Sequence, residues 1–193
     1  MKKIYYIFWG YILVASIACQ TSTNFLENKA YLKWKETFFD RDAQLQKLKE
    51  IELEQTTYLK DVISVDTQNM IANSTSELFI QLNLSFQLIQ TEGRYELQET
   101  EPDSIVDLYI PKLNIVYRIY SIGLLATVCD VLWINKSSFI ICVIEQGFGY
   151  VVCVDISKNS VITYCIDKKY YMNPPLKPYL IEVFKDRMFL FPQ

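Results

Sequence analysis

The fold is decided by the stretch FIICVIEQGFGYVVCVDISKNSVITYCID, residues 139–167. It contains three runs rich in Val, Ile, Phe and Tyr, joined by short polar connections at Gln146-Gly147 and at residues 157–160. β-Branched and aromatic residues favour strands, and connections this short join neighbouring antiparallel strands. The stretch therefore predicts a β-meander. Its middle run is apolar on both faces, which predicts a central strand with material packed on each side.

A second strand signal lies upstream, over residues 77–88, where apolar and polar residues alternate. A period of two predicts one long strand with a buried face and a solvated face. Residues 91–94 then predict a turn around a glycine. The segment 121–134 is almost continuously apolar, but the charge of Asp130 interrupts it. We interpret this segment as a buried strand or short core helix and not as a membrane span.

The N-terminal part has a different pattern. From Asn24 to Ser64 the chain contains no Gly or Pro, and Asn24 with Glu27 resembles a capping box, so the sequence predicts helix there, with a break near Asp40. At the other end, the proline-rich residues 172–178 precede two runs that predict a final hairpin, Tyr179 to Phe184 and Arg187 to Phe191.

Together these patterns predict an α+β fold in which N-terminal helices are followed by a mainly antiparallel β-sheet or meander. We expect residues 25–193 to form a single domain, helical over 25–64 and β-rich over 77–193. Residues 19–24 are small and polar after the cysteine, which predicts a short tether in front of that domain.

The N-terminus, MKKIYYIFWGYILVASIAC, places two lysines before an uncharged apolar run from Ile4 to Ala18. This run is shorter than the roughly 20 residues that a membrane-spanning helix needs. A basic start followed by a short apolar run is typical of a secretory signal. We therefore predict a signal peptide over residues 1–18 and an exported protein.

The end of this segment resembles the lipobox of bacterial lipoproteins, whose last residue is the cysteine that receives the lipid. Ala18 before Cys19 and the tolerated Ile17 match it, whereas Ser16 stands where Leu, Val or Ile is usual. The resemblance, confined to residues 1–19, implies a lipid-anchored envelope protein that incorporates palmitate at Cys19. Gln20 in place of Asp favours the outer over the inner membrane. Alternatively, ordinary signal peptidase cuts at the same bond and leaves a non-lipidated secreted or periplasmic protein.

Composition limits the chemistry that the chain can perform. It has no histidine, which excludes Ser-His-Asp and Cys-His catalysis and imidazole metal sites. Its net charge is −3 with no basic cluster, which argues against nucleic-acid binding. No motif indicates a cofactor. We therefore predict that the protein is not an enzyme.

One catalytic alternative remains open, because a glycosidase needs only two carboxylates on opposite sides of a cleft. Glu145, beside Gly147, and Asp155, in the apolar middle run, are the first candidates for a small envelope hydrolase acting on glycans. Both are also simply explained as residues at strand ends.

The cysteines of the mature chain lie 11 to 13 residues apart, unlike the CxxC pattern of zinc and redox sites, so we predict no metal site. Small buried hydrophobes are one interpretation, and one or two disulfides in an oxidising compartment are the other. The short turn between their strands places Cys142 and Cys153 roughly diagonal to each other, as a candidate pair. The four residues are Cys129, Cys142, Cys153 and Cys165.

Tyrosines cluster around the prolines that precede the C-terminus. Aromatic side chains on a proline-stiffened loop are a common way to build a recognition surface, although they also pack over sheet ends. We predict that this surface binds another envelope protein and that the membrane is contacted through the lipid. The candidate residues are Tyr164, Tyr170, Tyr171 and Tyr179.

Overall fold

The computed structural model describes residues 24–60, 70–100, 103–123, 126–166 and 176–186. The predicted signal and Cys19 lie outside these ranges. Within them the chain forms two α-helices, several single turns of 3₁₀-helix and twelve strands. The strands form two five-stranded antiparallel sheets and a separate two-stranded hairpin.

The helices are α1, Lys29–Phe38, and α2, Leu176–Asp186. The strands in chain order are β1 Leu45–Glu52, β2 Thr57–Lys60, β3 Met70–Ala72, β4 Phe79–Asn83, β5 Phe86–Thr91, β6 Arg94–Glu99, β7 Ser104–Ile110, β8 Ile115–Ile122, β9 Ala126–Asn135, β10 Ser138–Glu145, β11 Phe148–Asp155 and β12 Ser160–Ile166.

The central layer, which we call sheet A, has the order β1-β12-β11-β10-β9. The predicted meander over residues 139–167 is confirmed, because its three runs form the adjacent strands β10, β11 and β12. The middle strand carries buried residues of both parities, such as Val151 and Val152. Its central position, with material on both faces, is therefore also confirmed.

Sheet B has the order β2-β8-β7-β4-β3 and packs on one face of sheet A. The fully buried residues of the interface are aliphatic apart from Phe139, which lies against the partly buried Trp133 with ring centroids 5.1 Å apart. Alternate residues of β10 point into it, and Ile141 and Val143 are completely buried. This pattern follows from the two-residue period of a strand.

The opposite face of sheet A is covered by α1, α2 and the β5–β6 hairpin. Helix α1 contributes Trp34 and Phe38, which have no exposed surface, and the hairpin contributes the fully buried Leu88. The molecule therefore has three layers, with sheet A between sheet B and a mixed layer of helices and hairpin. This order of layers decides on which side of sheet A each surface of the molecule lies.

The predicted α+β fold is wrong: the chain is mostly β-sheet, and its N-terminal part is not a block of helices. Within the predicted helical range 25–64, only a 3₁₀ turn and α1 precede β1, and β2 follows. Strand β1 consists of good helix formers, LQKLKEIE, but pairs along its whole length with β12. Tertiary pairing at a sheet edge outweighs a helix propensity of a few tenths of a kcal/mol per residue.

The single strand predicted over residues 77–88 is also wrong, because it is two strands in different sheets. Strand β4 ends at Asn83, and β5 begins at Phe86 after a break at which the Ser85 amide donates to Ser104 Oγ at 3.1 Å. The alternation continues across the break, so the period alone could not reveal it. The turn predicted over residues 91–94 is confirmed as the tip of the β5–β6 hairpin.

The predicted C-terminal hairpin fails in its first strand, because Tyr179 to Phe184 lie in α2. The buried residues of that helix, Tyr179, Leu180, Val183 and Phe184, have the spacing of one helical face. Pro178 lies in the first turn, where a missing amide hydrogen costs little. The second predicted strand, Arg187 to Phe191, lies outside the described residues.

Candidate functional site

A groove of about 380 Å³ opens between the start of α1 and the start of β1, on the helical side of sheet A. We call it the α1 groove. Aromatic and aliphatic side chains dominate its lining, and Lys35 is the charged residue among them in the described part of the chain. Its principal lining residues are Phe25, Leu26, Tyr31, Leu32, Lys35 and Tyr164.

Helix α1 is held in place at its N-terminus by Asn28. The Asn28 side-chain oxygen accepts hydrogen bonds from the amides of Ala30 at 2.9 Å and Tyr31 at 3.2 Å. This is a standard N-cap, which satisfies amides that have no partner within the helix. The cap fixes the first turn, and with it the direction in which the Leu32 side chain leaves the helix.

The floor of the α1 groove is aromatic. The rings of Phe25 and Tyr31 meet edge to face with centroids 5.1 Å apart, and Phe25 lies 6.0 Å from the ring of Tyr164. Edge-to-face contacts are a favoured geometry for aromatic pairs. The groove therefore has a rigid base that joins the helix layer to strand β12.

The groove offers little for acid–base chemistry. Burial, reinforced by the nearby thiols of Cys142 and Cys153, raises the pKa of Tyr31 well above its usual value. Its phenol is therefore neutral at physiological pH. Lys35 donates a hydrogen bond from Nζ to the backbone oxygen of Arg41 at 3.1 Å. This arrangement suits the binding of apolar material.

The structure describes two of the four predicted tyrosines, and their surroundings differ. Tyr164 lines the α1 groove, whereas Tyr179 lies on the buried face of α2, with its ring 5.0 Å from that of Phe38. Tyr179 is therefore a core residue that a partner could not reach. Tyr170 and Tyr171 lie outside the described residues.

The two candidate carboxylates lie far apart. Asp155 is opposite Ser138 at one end of the β10–β11 hairpin, and Glu145 is opposite Phe148 at the other. Seven residues of strand separate the two ends, which corresponds to about 24 Å. A glycosidase pair needs a separation of roughly 5–10 Å, so Glu145 and Asp155 cannot act on one bond.

Asp155 has a structural task. Its side chain accepts hydrogen bonds from Ser157 Oγ at 2.6 Å and from the Lys158 amide at 3.2 Å. These contacts hold the 3₁₀ turn between β11 and β12, as short polar side chains commonly do at turns.

The four described cysteines are present as thiols. Cys142 lies opposite Val151, and Cys153 is two residues further along β11, so the predicted diagonal relation is correct. Diagonal neighbours are typically about 7 Å apart, whereas a disulfide needs Cβ atoms about 3.8 Å apart. A bridge would therefore require the backbone to move. Within the described ranges, no group of three or more potential metal ligands occurs.

Sequence reasoning missed a second surface, the side of sheet B that faces away from sheet A. We call it the outer face. Phe79 and Tyr109 are partly exposed there, with ring centroids 6.4 Å apart. Beside them the Arg118 guanidinium binds Asp107 through two hydrogen bonds of 3.1 and 3.3 Å. The single charge of Asp107 within the otherwise mainly apolar run SIVDLYI, residues 104–110, is the signal that could have identified this face.

Comparisons of the chain with protein-family models, with curated proteins and with solved structures found no match. In the described part of the chain, neither helix has the length and apolar character needed to cross a bilayer. The function must therefore be inferred from the sequence and geometry of the chain itself.

Proposed function

We propose that the chain is an exported lipoprotein, anchored through Cys19 to the outer membrane, that acts by binding another envelope protein and not by catalysis. The observation that carries the anchor is the position of Cys19. It ends an apolar run that follows two lysines, and the described fold begins at Asn24, five residues later. A lipid at Cys19 would thus join a short tether to a folded domain.

Three observations support a binding role. The sequence contains no histidine, so the commonest general base near neutral pH is absent. Glu145 and Asp155 lie at opposite ends of one hairpin. The lining of the α1 groove includes no carboxylate among the described residues. A hydrolase would need a carboxylate pair elsewhere.

The outer face of sheet B is the surface that best fits a protein partner. Phe25, at the start of the described chain, packs in the helix layer, whereas sheet B lies on the opposite side of sheet A. The outer face therefore points away from the anchor. It combines Phe79 and Tyr109 with an arginine, Arg118, and tyrosine and arginine are enriched in binding hot spots.

Labelled palmitate tests the anchor directly. The full chain should incorporate the label and float with membrane vesicles, and Cys19→Ala should abolish both. Protein that lacks residues 1–18 and is released into the periplasm without label would show ordinary signal cleavage, and the lipoprotein proposal would then be wrong.

Capture from detergent-solubilised envelopes tests the binding role, with the tagged full chain as bait. Tyr109→Ala and Phe79→Ala should each weaken capture by about 1–3 kcal/mol if they are hot spots. Tyr170→Ala combined with Tyr171→Ala tests the surface that the sequence predicts. Folded Glu145→Gln and Asp155→Asn proteins should keep both capture and cellular function, because the two carboxylates lie at opposite ends of one hairpin. Loss of function with capture unchanged would contradict a role by binding alone.

A further inference from the structure

The α1 groove exposes apolar side chains that the fold does not need to expose. Among the described residues, large exposed hydrophobic side chains are few, and two of them, Leu26 at 39% and Leu32 at 38% exposure, line this one groove. Isolated exposed leucines need no explanation, but two at the rim of an aromatic concavity indicate a contact surface.

The length of the chain before the fold restricts what this surface can meet. Asn24 begins the first described turn, and four residues lie between it and Cys19, which makes five Cα–Cα steps. A fully extended chain spans at most about 3.6 Å per residue, so this segment reaches no further than about 18 Å. A lipid at Cys19 would therefore hold the first turn of the fold, with Leu26, close to the bilayer surface.

The charged side chain in the described lining also fits a membrane surface. Lys35 lines the groove, and its ammonium lies beside the backbone of the exposed Arg41. Lysine side chains keep their charge in the headgroup region while their methylene stems cover apolar surface. Basic residues close to a bilayer are attracted to its anionic lipids. The groove thus combines an apolar rim with the cation of Lys35.

We propose that the α1 groove rests on the bilayer to which Cys19 is anchored, with Leu26 and Leu32 inserted into its interface. This inference rests on the proposed lipid anchor and adds an orientation to it. The helix layer faces the membrane, and the outer face of sheet B faces away from it. The occupant of the groove is the lipid surface of the protein's own membrane.

Quenching of tryptophan by brominated lipids tests this contact on the full lipidated chain. The protein is reconstituted into vesicles of phosphatidylethanolamine and phosphatidylglycerol, with or without bromine on the acyl chains. Leu32→Trp should lose emission in the brominated vesicles relative to the wild type, and its spectrum should shift to the blue. Leu113→Trp is the matched control, because Leu113 is exposed at 61% in the connection between two strands of sheet B. It should behave as the wild type does.

The outcomes separate the anchor from the orientation. Leu32→Trp protein that carries palmitate and floats with the vesicles, but is not quenched, would overturn the orientation and leave the anchor standing. Protein that neither carries palmitate nor floats would overturn both. If Leu32→Trp fails to fold by circular dichroism, Leu26→Trp replaces it with the same expectation. A photocrosslinker at position 32 that captures a protein and not lipid would also overturn the inference.

Discussion

The two faces of sheet A are built differently. The face toward sheet B is filled mainly by Val, Ile and Leu, such as Ile141 and Val143, and one sheet covers it almost completely. The face toward the helices carries aromatic rings, thiols and the buried carboxylate of Asp130, and three separate elements cover it. The α1 groove lies on this second face. The aliphatic face holds the sheets together, and the mixed face leaves room for a contact surface.

A β-bulge contributes to the character of the mixed face. Asp130 pairs with Cys142 and Val128 with Val143, so Cys129 is an extra residue on β9. A bulge breaks the alternation of a strand, which allows Cys129 and Asp130 to lie on the same side. The Asp130 carboxylate is satisfied in part by the Val131 amide, which donates to it at 2.8 Å.

A charge between the two sheets should have the largest effect on stability. Leu82 on β4 is 7% exposed and lies opposite the fully buried Val106. Leu82→Asp would bury an unpaired carboxylate. The cost should remove much of the free energy of unfolding, which is typically about 5–15 kcal/mol for a domain. We expect thermal unfolding, followed by circular dichroism, to show no folded protein. The neighbour Asn83 is exposed on the same strand, so Asn83→Asp should keep its melting temperature. Equal losses in both variants would contradict the assignment of the two faces.

The meander could be predicted from sequence because its signal is local. Residues 139–167 combine β-branched residues with short turns, and each strand pairs with the next one along the chain. The edge strand β1 could not be predicted in the same way. Its partner β12 is about a hundred residues away in sequence, and its exposed residues, such as Lys47 and Lys49, are equally common on helices. Charged residues on an edge also discourage pairing with other chains.

The candidate site could be predicted only in part, because it too depends on contacts between residues far apart in sequence. Tyr164 was singled out in sequence and does line the α1 groove, but Leu26, Leu32 and Lys35 were not, because their convergence depends on the long-range pairing of β1 with β12. Cys19 was identified from a local pattern and remains a prediction. The prediction for Tyr179 was wrong because helical and strand periods are hard to distinguish over the six residues from Tyr179 to Phe184.

The helical side can be disturbed more gently at Gly149. A Cβ atom there would collide with the ring of Phe39, which packs under the helices. Gly149→Ala should therefore destabilise the protein by about 1–3 kcal/mol through overpacking. Gly123→Ala is the control, since its Cβ would be 3.5 Å from Asp103, an ordinary contact. Chemical denaturation should show a lower midpoint for Gly149→Ala alone. A Gly149→Ala protein as stable as the wild type would mean that Phe39 packs elsewhere.

Alkaline pH should weaken the mixed face, since its buried thiols titrate. Burial raises the pKa of Cys129 to about 12 and that of Cys153 in the same direction. An unfolded thiol ionises near pH 8.5, whereas the buried thiol keeps its proton. Above that pH the unfolded state therefore binds fewer protons than the folded state and is stabilised relative to it. The contribution of Cys129 to stability is present below about pH 8.5 and falls as pH rises toward 12, by about 1.4 kcal/mol per pH unit at most.

Denaturation at pH 7 and at pH 9.5 measures this slope. Cys129→Ala lowers stability at both values, because it leaves a cavity, but it should lose less between them than the wild type does. An equal loss in Cys129→Ala and in the wild type would show that Cys129 ionises alike in the folded and unfolded states, as an accessible thiol does.

The smallest expected effects concern ion pairs on sheet B, and they sharpen the comparison between buried and exposed surface. Arg118 binds Asp107 through two hydrogen bonds, and the Asp107 side chain is only 11% exposed. These bonds also raise the pKa of Arg118. Asp107→Asn leaves Arg118 with a weaker partner and should destabilise the protein by about 1 kcal/mol, since Arg118 keeps access to solvent.

Lys112 and Glu77 form an exposed ion pair, with side chains 73% and 52% exposed. Glu77→Gln should therefore leave the melting temperature unchanged, and added salt should not alter the difference between the two variants, because screening acts mainly on exposed charges. If Glu77→Gln were the more damaging variant, the outer face would not be organised around Asp107 and Arg118, and the binding surface proposed for it would lose its rigid element.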